Sequence, residues 1–100
     1  MNQVWVKTVD GDLIRAATIR QITTTGGLRA VLNAGSQFLL AESSGRQPMD
    51  EIALELVAAI AAAEKHAEAH VIEVKATDHE DEWAVFTSAL PGAVERASVA

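Results

Sequence analysis

The chain has 100 residues, a formal net charge of −6 and no cysteine, and 49% of it is apolar, much of that alanine. A chain of this length holds one core and buries roughly two thirds of its unfolded surface, so a second domain has no room. The composition excludes disulfide and thiolate chemistry, argues against general nucleic-acid binding because lysine and arginine are few and scattered, and offers no apolar run long enough to span a bilayer.

From Gln3 to Glu42 the pattern is one of short strands broken by turns. The stretch QVWVKTV places Val4, Val6 and Thr8 on one face and Trp5, Lys7 and Val9 on the other, with a period of two. Asp10-Gly11 then predicts a two-residue hairpin turn, after which DLIRA returns antiparallel to the first strand. In TIRQITTT, Ile19 and Ile22 stand three apart, so strict alternation fails near Arg20 and a bend is expected around Ala17-Thr18. Gly26-Gly27 turns the chain, LRAVL reads as a strand, Asn33 to Ser36 make a tight loop and QFLLA follows as another strand. The expectation is an antiparallel meander of four to five short strands with one face to be covered.

The cover is a helix. ESSGRQP is a polar loop, Pro48 suits a helix first turn, and Asp50 and Glu51 sit where the positive end of the helix dipole favours acids. Ile52, Leu56, Ile60 and Ala63 recur at spacings of three and four, with Ala53 and Val57 widening the stripe and Glu51, Glu55, Lys65 and Glu68 opposite. The spacing predicts one long amphipathic helix from about Met49 to about Ala69. One or two C-terminal strands follow. VIEVKAT sets Val71, Glu73 and Lys75 against Ile72, Val74 and Ala76, DHEDE is a charged loop, and WAVFT is a short strand with Trp83 and Val85 on one side. The fold class read from this order is α+β, with residues 1–88 as a single domain and 89–100 as a flexible C-terminal tail.

Chemistry is sparse. His66 and His70, four apart, have the spacing at which a helix brings two imidazoles to one ion, and His79 in the acidic loop is a candidate third ligand for a divalent transition metal. Against that stand the missing zincin glutamate and the ordinary preference of histidine for a helix C-terminus; a solvated helix end is the favoured reading. The run Asp78 to Glu82 matches no calcium loop. Gly26-Gly27 precedes a strand rather than a helix, which removes it as a phosphate loop, and the serines and threonines lack a nucleophile elbow. No enzyme activity, resident cofactor, nucleic acid or membrane is expected. The start MNQVWVKTVDGD has no secretory pattern, so a cytoplasmic location is expected.

Trp5, Lys7, Val9 and Trp83 are the candidate interaction residues, since apolar side chains on both sheet faces exceed what one helix covers. The alanine-rich helix adds a surface suited to close helix-to-helix contact. Together these lead to a small non-enzymatic binding or regulatory module acting through a protein partner or self-association, including a homodimer. The alternatives are a metal-binding protein built on the histidines and an acidic inhibitor or DNA mimic engaging a basic partner. A small-molecule pocket between sheet and helix is a further option.

Overall fold

The computed structural model describes residues 3–42, 48–66, 68–76 and 83–89. The alternation in the first segment forms strand β1 (Val4–Lys7), in which Val4 and Val6 are buried while Trp5 and Lys7 are half-exposed. It pairs antiparallel with β2 (Leu13–Arg15), Val6 opposite Ile14. The connection is longer than the two residues expected from Asp10-Gly11. Thr8 N–H donates to Asp12 O at 2.8 Å and Gly11 N–H to Thr8 O at 3.0 Å, which leaves Val9, Asp10 and Gly11 as a three-residue loop. Gly11, at φ +91°, takes the left-handed position such loops require. The same geometry recurs at Asn33-Ala34-Gly35, closed by Leu32 N–H to Ser36 O and Gly35 N–H to Leu32 O.

The bend expected at Ala17-Thr18 is a 3₁₀ turn over Ala16–Thr18. There the chain leaves the first sheet. Strands β3 (Ile19–Thr23), β4 (Leu28–Leu32) and β5 (Gln37–Ala41) form a separate three-stranded antiparallel meander. Two strands, β6 (His70–Ala76) and β7 (Trp83–Ala89), join the first sheet in the order β2-β1-β6-β7, with β1 and β6 parallel. The described residues thus make an α+β fold of seven strands in two sheets and one helix. The single meander of four to five strands is corrected: only three strands meander, and the N-terminal hairpin goes to a mixed sheet. The physical reason is the 3₁₀ turn, which redirects the chain, together with the vacant edge of β1, whose N-terminal end accepts β6 through His70 N–H donating to Gln3 O at 2.9 Å.

The helix, α1 (Met49–Ala63), is preceded by Pro48 as an extended N-cap rather than a first-turn residue, and it stops six residues short of the expected end. After Ala63 the stretch EKHAEAH offers no large apolar residue to continue the buried stripe, and no basic side chain in the last turn meets the negative end of the helix dipole. Met49, Ile52, Leu56 and Ala63 are buried against Val6, Ile14, Ile72 and Val74 of one sheet and Leu28, Ala30 and Leu40 of the other, in one continuous core. Complete burial of Ile52 or Leu56 contributes about 1.5–3 kcal/mol each. Val57 departs from its expected place in that stripe and stands 51% exposed.

Candidate functional site

Three surfaces can be weighed: the outer face of the four-stranded sheet, the histidine pair, and the side of α1 turned toward β3. On the first, strand registers line up two rows of outward side chains. One runs Leu13, Lys7, Glu73, Phe86 and the other Arg15, Trp5, Val71, Ser88. Two aromatic rings on this face have a cation against them, while Leu13 and Phe86 stay 50% and 41% exposed. The Arg15 guanidinium lies 5.4 Å from the Trp5 ring centroid, Lys75 Nζ lies 5.0 Å from that of Phe86, and Lys7 Nζ approaches Glu73 Oε2 at 3.9 Å. Long cationic side chains that cover aromatic rings while keeping their heads in water are how a monomeric sheet solvates an apolar face.

The four expected interaction residues do not share one surface. Trp5 and Lys7 point outward, whereas Trp83 is on the inward face of β7 and packs against the core. Lys7, Val9 and Trp83 do meet at the carboxyl ends of β1 and β6, where they line a depression of about 480 Å³ with Glu73 and Lys75. Its charges are mixed in sign. Trp5 lies outside it.

The histidines are placed otherwise than expected. His66 follows the helix in a turn, its N–H donating to Ala63 O at 3.1 Å, and His70 is the first residue of β6 and buried. Their rings still lie 5.2 Å apart between centroids, tilted by 37°. His70 Nδ1 is 3.0 Å from Glu68 O, and because a carbonyl only accepts, Nδ1 carries the proton. Its other nitrogen, Nε2, then carries the lone pair and is the one available to a metal or a hydrogen-bond donor. Among the described residues no group of three or more His, Cys, Asp or Glu is placed to hold a metal ion. His79 and the acidic run around it lie outside the described residues.

The third surface is a groove of about 660 Å³ between α1 and β3. Its strand wall depends on a bulge: Ile19 pairs with Leu32 but Gln21 with Val31, so Arg20 is an extra residue in β3. The bulge resolves the spacing of three between the isoleucines. With Arg20 and Gln21 occupying one position, Ile19 and Ile22 return to the same inward face, half-buried against the core. The helix wall is a second apolar stripe that sequence reasoning overlooked. Leu54, Val57 and Ala61 recur at spacings of three and four and are bracketed by Asp50 and Glu64. Leu54 is 71% exposed. The missed signal was that α1 is apolar around more of its circumference than one core contact can use, which marks a helix with a second neighbour.

The described lining of the groove is mostly aliphatic, with Arg20 on the strand bank, Asp50 and Glu64 on the helix bank, and Thr24 as its hydroxyl. The structure so far defines an α+β protein with an open apolar groove between its helix and a bulged edge strand. No family model, no curated protein and no solved structure matches the chain.

Proposed function

We propose that this protein is a protein-binding module whose receptor surface is the α1–β3 groove, into which an apolar segment of a partner inserts. The observation that carries the reading is the second stripe of α1. Leu54 and Val57, 71% and 51% exposed, stand over a groove of about 660 Å³ whose described lining is mostly aliphatic. Exposed aliphatic side chains of this size beside a concave wall are what a helix-in-groove interaction uses as its floor.

The test is a titration of isotope-labelled protein with a panel of short amphipathic helical peptides, followed by amide chemical shifts. Perturbations are expected at Ile19, Ile22, Leu54 and Val57, and the Leu54→Asp/Val57→Asp double variant, folded by circular dichroism, is expected to lose them. Perturbations confined to Trp5, Lys7 and Phe86, or an unaltered response in the double variant, refute the groove as the receptor surface.

A further inference from the structure

Resting on that reading of the groove, we infer the chemistry of its occupant: a partner segment that is a basic amphipathic helix, its apolar stripe bracketed at both ends by lysine or arginine. The geometry comes from α1. Asp50, Leu54, Val57, Ala61 and Glu64 follow one another at spacings of four, three, four and three, the pattern of a coiled-coil seam, and all five line the groove. From Asp50 to Glu64 the seam is about 21 Å long at 1.5 Å per residue, so it accommodates about four turns of a partner helix.

Charge decides between possible helices. Residues 49–64 contain Asp50, Glu51, Glu55 and Glu64 and no lysine or arginine. The two carboxylates in the seam stand at its ends, outside the aliphatic centre. Glu64 also caps a helix terminus whose last turn has no basic residue, so the dipole and the side chain add in sign there. A cation near each end of the incoming helix meets both. Opposite the helix bank, Arg20 is exposed on the strand bank and leaves room for one carboxylate on the occupant's other side.

A second copy of this chain is a poor occupant by the same reasoning. Two α1 seams paired antiparallel about Val57 bring Asp50 of one copy against Glu64 of the other, twice. Paired parallel, they bring Asp50 against Asp50 and Glu64 against Glu64. Either two-fold arrangement opposes carboxylates at both ends of the contact, which disfavours it.

Two probe peptides of equal length and identical Leu/Ala stripe, one with lysine and one with glutamate at both ends, separate the possibilities by amide-shift titration and calorimetry. The lysine peptide is expected to bind about tenfold tighter at low salt, with the difference shrinking toward unity at about 1 M salt, where the Debye length is about 3 Å. The Asp50→Asn/Glu64→Gln variant is expected to erase the difference while leaving the groove shifts in place. Equal affinity of both peptides at the groove overturns the inference and leaves the groove standing as a receptor. Failure of both peptides to perturb the groove overturns the inference and the groove reading together. Concentration-dependent groove shifts in the peptide-free protein, with a dimer in sedimentation, also overturn the inference in favour of self-association.

Discussion

Leu54 and Leu56 sit two residues apart on the same helix with opposite exposures, 71% and 0%, and replacing each in turn by alanine tests the rotational setting of α1 on which the groove depends. Leu56 touches the core on all sides. Its truncation removes the transfer free energy of the side chain and leaves a cavity, so a loss of about 3–4 kcal/mol is expected. A domain of this size has a total stability of about 5–15 kcal/mol, and the midpoint of thermal unfolding falls by about 4–8 °C per kcal/mol. The Leu56→Ala variant should therefore melt roughly 12–30 °C below the parent. Leu54 already has most of its surface in water. The remaining burial is worth about half a kcal/mol and is partly returned by the better helix propensity of alanine, so Leu54→Ala should stay within about 0.5 kcal/mol of the parent. Urea titrations followed by far-ultraviolet circular dichroism give both numbers, and equal m-values show that the unfolded states are comparable. If the two variants differ by less than about 1 kcal/mol, or if Leu54 is the costlier, α1 does not present Leu54 and Val57 to the groove and the proposal built on that stripe is wrong.

The two three-residue loops make a paired prediction. Gly11 and Gly35 have φ values of +91° and +97° with nothing within 4 Å of an added Cβ, so alanine at either costs only backbone strain, about 1–2 kcal/mol and similar at both sites by urea titration. A cost near zero at one of them would show that its loop does not hold the left-handed conformation. The histidines give a third. His70→Ala deletes a buried ring and its bond to Glu68 O and is expected to cost about 2 kcal/mol, whereas His66→Ala at an exposed turn should cost less than about 0.5 kcal/mol. Equal effects in thermal melts would contradict the placement of His70 in β6.

Much of the fold was legible wherever a residue's neighbours along the chain decide its conformation. The inward faces of β1 and β6 follow from alternation at Val4, Val6, Ile72 and Val74, and the turns at Gly26-Gly27 and Gly35 follow from the left-handed angles that glycine permits. What was not legible depends on long-range competition. Nothing local in QVWVKTV says that β1 will pair in parallel with a strand more than sixty residues away, because the sequence of β1 satisfies an antiparallel neighbour equally well. The helix end was misplaced for the same reason: His70 has helical spacing from His66, but its backbone N–H goes to Gln3 O across the sheet. In the groove, the broken alternation at Ile19 and Ile22 was visible as an anomaly, yet its resolution by an extra residue at Arg20 needs the partner strand β4 to count against. Leu54 and Val57 were hidden because a stripe on a helix reads as core until another stripe is seen to occupy it.

Among the described residues, the outer sheet face and the exposed side of α1 carry opposite charge, and this bears on the partner proposed for the groove. The outer face of the four-stranded sheet holds Lys7, Arg15 and Lys75 against Glu73, while α1 packs on that sheet's inner face and presents Asp50, Glu51, Glu55 and Glu64 on the other side of the core. Among the described residues, that outer sheet face thus carries three cations to one carboxylate, and α1 with its C-cap carries four carboxylates and no cation. At physiological salt, where charges act over about 8 Å, a basic segment approaching from the sheet side is repelled and one approaching from the helix side is attracted, before any apolar contact forms. On the proposed reading, charge orients the partner and the aliphatic seam retains it. By the same reading, an acidic segment is steered to the sheet side, where docking on Trp5 or Phe86 has to displace the cation that lies against each ring. On that reading, the cations against Trp5 and Phe86 also weaken the sheet face as a competitor of the groove.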